Sequence, residues 1–178
     1  VESDYHSGVS NPDSRGGERG MPEPERMQLP ESYGQFEPFT VETAPVWDDY
    51  ERALEYSRNY WIAMCDQHGP HTAPVWGVWL DGTFLFSTDP GSRKGRALAS
   101  GGQCSVHLES GDDVVILHGW AEPLPDELRD AFIEAYFRKY GVLIDPLDPA
   151  QAIFRIIPAV AFTWIERDYL RTAARWKF

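Results

Sequence analysis

The stretch Phe86-Ser87-Thr88-Asp89-Pro90-Gly91-Ser92-Arg93-Lys94-Gly95-Arg96 concentrates the residue types that hold an anion. A strand-like run ends in hydroxyl side chains, turns through Pro90-Gly91, and enters a segment carrying Ser92, Arg93, Lys94 and Arg96. Backbone N–H groups at a helix start favour negative charge, and a hydroxyl beside a guanidinium and an ammonium completes a phosphate site. Arginine offers a bidentate contact, lysine a point charge. A solvated basic helix face is the competing reading of the same residues. The net charge of −12 makes a basic cluster more informative here than it would be in a basic chain.

Other side chains could take part in chemistry. His71, His107, His118 and Tyr60 are the candidate proton donors, but a lone imidazole on a strand is ordinarily satisfied or solvated, and none is assigned a catalytic role. Trp61, Trp76, Trp79, Trp120 and Trp164 could stack on a planar ring, although most are expected in the core or at a subunit interface. Cys65 and Cys104 match no metal spacing and read as buried free thiols rather than a disulfide.

The elements that must position these residues follow from periodicity. Val46, Trp47, Tyr50, Ala53, Leu54 and Ser57 keep a helical spacing. Tyr60 to Cys65 is a short strand, closed by the turn Gln67-His68-Gly69-Pro70. Thr72 to Leu80 reads as one strand and Thr83 to Ser87 as the next, joined by Asp81-Gly82, a strong hairpin signal. Gly91 to Ala99 reads as a short helix stopped by Gly101-Gly102. Gln103 to Leu108 and Val114 to Trp120 are strands, and Pro125 to Tyr140 is a helix with Asp126 and Glu127 at its start and Arg138 and Lys139 at its end. Ala152 to Ile157 and Ala159 to Ile165 are expected as two strands separated at Pro158, an edge or a bend. Six or seven short strands with few helices predict a mainly β fold, a closed or partly closed antiparallel barrel.

Composition bounds the rest. The 178 residues suffice for one domain, with 42% hydrophobic and 13% aromatic side chains. Residues 1–35 are rich in Gly, Pro, Ser, Asp and Glu and read as a disordered or extended arm, leaving residues 36–178 as the folded domain. The acidic balance weighs against nucleic acid and anionic membrane as partners. No run reaches the ~20 apolar residues of a membrane span, and no signal-peptide core is seen, so a cytoplasmic protein is expected.

Taken with their order, these residues resemble a known family. Phe86-Ser87-Thr88-Asp89 followed by Gly91-Ser92-Arg93-Lys94 resembles the phosphate-binding motif of the pyridoxamine 5′-phosphate oxidase-like split-barrel flavoproteins. His71-Thr72-Ala73-Pro74-Val75-Trp76-Gly77-Val78-Trp79, the run from Val106 to Asp113 and the ending Arg175-Trp176-Lys177-Phe178 resemble its actinobacterial flavin and deazaflavin oxidoreductase branch. The resemblance implies an antiparallel split β-barrel of the FMN-binding type, with a few peripheral helices. It implies that Ser92, Arg93 and Lys94 hold a cofactor phosphate with Ser87 and Thr88, and that Pro74, Val75 and Trp76 run beside the ring. It further implies that Arg175 and Trp176 approach the cofactor, and that a homodimer completes each active site at the subunit interface.

In the true oxidase the strand at 71–76 begins with Arg and ends with Lys, whereas His71 and Trp76 stand here. Pyridoxamine-phosphate oxidation is therefore not expected. The cofactor implied is the deazaflavin coenzyme F-420 or FMN. The function implied is an oxidoreductase that transfers hydride to a small organic substrate. The alternative is a flavin- or haem-binding protein without efficient turnover.

Overall fold

A computed structural model describes residues 21–34, 36–99, 101–145 and 147–178. The helical spacing after Val46 becomes α1 (Trp47–Tyr56), which buries Trp47 and Leu54 and carries Asp48 and Asp49 in its first turn, where free N–H groups favour negative charge. The period then changes to two. In β2 (Tyr60–Asp66) Tyr60, Ile62 and Met64 are buried, while Trp61 and Ala63 stay half-buried on the opposite face.

The strands β3 (Gly69–Val75), β4 (Gly77–Leu80), β5 (Thr83–Thr88), β6 (Gly102–His107), β7 (Asp113–Pro123) and β8 (Ala152–Ile165) follow. Helix α2 (Arg93–Ala99) joins β5 to β6, and α3 (Arg129–Tyr140) lies between β7 and β8. A last turn of helix, α4 (Tyr169–Thr172), leads into β9 (Ala174–Lys177), which pairs with β1 (Pro24–Arg26). All ladders are antiparallel, in the order β1-β9-β8-β7-β6-β2-β3, with β5 also on β8 and β4 on β5. β8 is long enough to serve both halves: Ala152–Ile156 pairs with β5, and Val160–Thr163 with β9. β3 and β4 share no ladder, so the barrel is split rather than closed.

Three expectations are corrected. The strand expected over Thr72–Leu80 is two strands, because Val75 pairs with Tyr60 while Gly77 pairs with Phe86, and the chain crosses between the sheet halves at Trp76. Only glycine fits beyond the crossing: a Cβ on Gly77 would lie 2.4 Å from the Phe84 ring. Pro158 does not divide the last strand. It lies opposite Gly119, where the β7–β8 register shifts, and a Cβ on Gly119 would lie 2.1 Å from the Ile157 carbonyl oxygen. Within the segment read as an arm, Pro24–Arg26 forms an extended edge strand against β9, while residues 1–20 lie outside the described residues. Cys65 is exposed rather than buried, while Cys104 is buried and its thiol is pushed up to about 12 by desolvation.

The core inside the barrel is aromatic, with Tyr60, Phe84, Phe86 and Trp176 fully buried. A second cluster seats α3 on the other face of the β4–β5 hairpin, packing Phe132 and Tyr136 against Val78, Leu85 and Ile153. No helix among the described residues is long and apolar enough to cross a membrane.

Candidate functional site

The crossing at Trp76 and the end of β5 face one another across a slot of about 430 Å³. Pro74, Val75 and Trp76 form one wall; Ser87, Thr88 and Lys94 form the other, with Asn59 and Tyr136 between them. Six of the residues expected around a cofactor are thus brought together. Asn59 and Tyr136 were missed in the sequence: Tyr136 lies within the helix expected over Pro125 to Tyr140, on its buried face, and nothing near Asn59 marks it.

Trp76 is held in place from outside the slot. Its indole stacks on Tyr140 at 4.8 Å, and the Arg58 guanidinium lies 5.1 Å from its ring. The Tyr140 hydroxyl accepts from the Gly77 N–H at 3.0 Å and lies 2.7 and 2.8 Å from the Arg58 and Gly77 carbonyl oxygens. Burial pushes this phenol up to about 12, so it stays a neutral donor. The C-terminal end of α3 therefore fixes the chain where it changes sheets.

At the other end, the loop before α2 is ordered by its own hydrogen bonds. Asp89 Oδ1 accepts the Gly91 N–H at 2.6 Å, and Ser92 Oγ accepts the Gly95 N–H at 3.0 Å. Ser92 Oγ also lies 3.3 Å from Thr88 Oγ, linking the loop to the strand end. Ser92 thus caps α2 and lies behind the slot rather than on its surface.

Arg93 and Lys94 part company. Arg93 forms a fork with Asp66, Nε to Oδ2 at 2.7 Å and Nη2 to Oδ1 at 2.7 Å, and adds the Gly69 carbonyl at 3.0 Å. The hydrogen bond from Arg93 holds the Asp66 carboxyl well below the usual carboxylate range, and the same bond raises Arg93. Arg93 and Arg96 line a different cavity of about 560 Å³, reached from another face of α2 and bordered by Cys65, His68 and Gln103. That cavity is the larger, but it holds none of the other residues expected at a cofactor. Lys94 makes no ion pair among the described residues and is the slot's cation. Arg93 and Lys94 thus line different cavities, and Arg93 is bonded to Asp66, a partner 27 positions away that no spacing rule could supply.

Arg175 and Trp176 are not brought to the slot. Trp176 is fully buried, and its Nε1 donates to Thr163 Oγ1 at 2.8 Å, so its ring is not available to a ligand. Arg175 lies 3.7 Å from Glu25 on the outer face of the sheet. The register places it at one end of a transverse row, Pro74–Trp61–His107–Ile116–Phe162–Arg175, crossing five ladders. Within this row Trp61, His107, Ile116, Phe162 and Arg175 are half-buried.

The candidate proton donors lie elsewhere. His107 stacks on Trp61, and its Nδ1 is 2.8 Å from the Leu108 carbonyl oxygen. His118 packs edge-on against Phe162, and burial lowers it. His71 lies on β3 opposite Met64. Tyr60 is buried, donates to the Leu54 carbonyl and accepts from Lys139 Nζ at 2.5 Å, and desolvation raises its phenol. Among the tryptophans, Trp79 is buried and donates to Glu51 at 2.8 Å, Trp120 is half-buried on β7, and Trp164 packs on Tyr169. Only Trp76 lines the slot.

Comparison with known proteins bears on this geometry. The family model described as pyridoxamine 5′-phosphate oxidase matches residues 46–165. A conserved hypothetical protein from Mycobacterium tuberculosis superposes with a TM-score of 0.59 at 21% identity, over 74% of this chain and 91% of that one. An FAD-binding protein from Mesorhizobium loti gives 0.53 at 19% identity, over 75% and 95%. A heme-binding protein from Mycobacterium smegmatis gives 0.53 at 18% identity, over 71% and 60%. At these identities the likeness is one of fold. No curated protein matches the chain.

Proposed function

This chain belongs to the pyridoxamine 5′-phosphate oxidase family, and from that premise we propose that it is an oxidoreductase holding coenzyme F-420 or FMN in the slot between Trp76 and Lys94. The observation that carries the reading is the slot's division of labour. Hydroxyls of Ser87 and Thr88 with the Lys94 amine suit a phosphate, and the wall of Pro74, Val75 and Trp76 suits a flat ring. The donors fit such a group without rearrangement, since Ser92 and Asp89 already hold the loop.

When bound, the ring would supply the hydride chemistry. The chain's own task is then positional. Trp76, clamped by Tyr140, gives the ring a fixed face, and Lys94 sets how deep the phosphate sits. Lys94 is the slot's one charged side chain, and its amine and the Tyr136 phenol are the titratable groups that line it. The substrate is a small organic molecule. Pyridoxamine phosphate is not proposed: His71 and Trp76 stand where the oxidase carries Arg and Lys for its flavin, and the sequence offers no match to a second basic set for the substrate's phosphate.

The reading includes a homodimer. The half-buried row from Trp61 to Phe162 is more apolar than a solvated sheet face requires. Pro74, at the lip of the slot, begins that row, and Arg175 ends it. A second copy laid across the face with its axis along the strands brings its Arg175 to this chain's slot. That is the route by which the C-terminal arginine serves a site it does not reach in its own chain.

The absorption spectrum of freshly purified protein, followed by titration with FMN and with coenzyme F-420, tests the reading. Saturable binding of either ring, weakened in Lys94→Ala, supports it. Absence of binding by both, or a Soret band with unchanged Lys94→Ala behaviour, sinks it.

A further inference from the structure

The two candidate cofactors differ in the charge of their phosphates. FMN ends in a phosphomonoester, which carries close to two negative charges at neutral pH because its second proton leaves near pH ~6. The deazaflavin coenzyme's phosphate is a diester with a single charge. We infer that Asp66 makes the slot selective for a phosphodiester by withdrawing the charge of Arg93 from it; this rests on the function proposed above.

The inference follows from counting cations and finding where each one is spent. Arg93 is neutralised in a two-bond fork by Asp66, whose side chain is only 16% exposed, and its Nη2 is further engaged by the Gly69 carbonyl. Arg96 donates to the Gly91 carbonyl and lines the neighbouring cavity with Arg93. Arg58 lies at the opposite end, against Trp76. The positions that are basic on the oxidase's strand are His71 and Trp76 here. Within this chain Lys94 alone remains beside Ser87 and Thr88, and the Arg175 proposed from a second copy would enter at Pro74, on the ring wall.

One ammonium balances a diester. A monoester leaves a surplus negative charge next to the Asp89 carboxylate of the same loop, in a chain of net charge −12. A unit charge at ~4 Å in a water-like medium corresponds to about a fivefold change in affinity. Asp66 is thus a specificity-determining residue that acts through Arg93.

The test keeps the ring constant and changes only the phosphate. FMN and its 5′-methyl phosphodiester are titrated into the full chain by fluorescence quenching. The natural protein is expected to bind the diester about fivefold more tightly than FMN. Asp66→Asn frees Arg93 and is expected to move that ratio about fivefold towards FMN, while the double variant Asp66→Asn/Arg93→Gln restores the starting ratio. FMN bound more tightly than the diester by the natural chain overturns the inference, and this arm needs no variant to fold. An unchanged ratio in a folded Asp66→Asn protein overturns it too. If neither compound binds, the cofactor reading itself has failed, and this inference falls with it.

Discussion

The indole of Trp76 and the phenol of Tyr140 lie 4.8 Å apart and within 4° of parallel, while the Tyr140 hydroxyl bonds the backbone one residue beyond that indole. One side chain of α3 thus sets both a ring plane and the backbone corner between β3 and β4. The relationship separates two contributions by mutation. Tyr140→Phe keeps the stack but strips the Gly77 N–H of its acceptor, and a loss of about 1–3 kcal/mol is expected for a part-buried donor left unmade. Tyr140→Leu loses the stack as well, about 0.5–1.5 kcal/mol more. Urea denaturation of the two variants measures both steps; equal stability of Phe and Leu variants shows the stack to be idle.

Lys94 and Arg93 are neighbours in sequence with different work. Lys94→Ala is expected to weaken cofactor binding by about 1.5–3 kcal/mol, the range for a charge-assisted bond. Arg93→Ala should act mainly on the turn of the β2–β3 hairpin, through Asp66 and Gly69, and change affinity by less. Isothermal titration with whichever ring binds compares the two. A larger effect from Arg93→Ala reverses the assignment.

The Asp66–Arg93 fork carries a pH dependence whose sign is fixed. The Asp66 carboxyl is depressed in the folded chain, chiefly by the hydrogen bond from Arg93. Its contribution to stability is therefore fully present above the ordinary aspartate value near ~4 and is lost as pH falls through the lower folded value. Wild type should exceed Asp66→Asn in stability by a constant margin from pH ~5 to ~8, and the margin should narrow below pH ~4. Denaturation midpoints across that range measure it, and a margin that does not narrow shows the fork to be unformed in solution.

These features differ in how far sequence reasoning reached them. Local signals served well where the physics is local. The Asp81-Gly82 turn, the α1 stripe and the Ser87–Lys94 run all lie where spacing and turn chemistry put them. Pro158 misled because proline's missing N–H was weighed without its partner, and the register shift opposite Gly119 accommodates it. Trp76 as a strand break was hidden because an unbroken apolar run looks the same whether or not the chain changes sheets. Long-range pairings left no local trace at all. Asp66 to Arg93, Tyr140 to Gly77 and Trp176 to Thr163 join residues whose proximity is created by the barrel. The resemblance grouped Ser87, Thr88 and Lys94, which do line one slot, with Arg93 and Trp176, whose partners here are Asp66 and Thr163.

The outer face gives the sharpest test of assembly. Phe162 lies next to Arg175 in the row from Trp61, half-buried, with its ring 5.3 Å from His118. Phe162→Asp should therefore cost the isolated chain only about 1 kcal/mol, roughly half the value of a fully buried phenylalanine. In a two-fold interface each substitution appears twice, and here it places two carboxylates on an apolar face, where desolvation opposes pairing. Light scattering at micromolar concentration is expected to show a dimer for the natural chain and a monomer for the variant, with the far-ultraviolet spectrum unchanged. The same variant should bind the cofactor more weakly although Phe162 does not line the slot, because the second copy's Arg175 is withdrawn with the rest of the face. Arg175→Ala provides the control: it should remain dimeric and lose that same increment of affinity. A natural chain that is monomeric, or a monomeric variant with undiminished affinity, removes the second copy from the site.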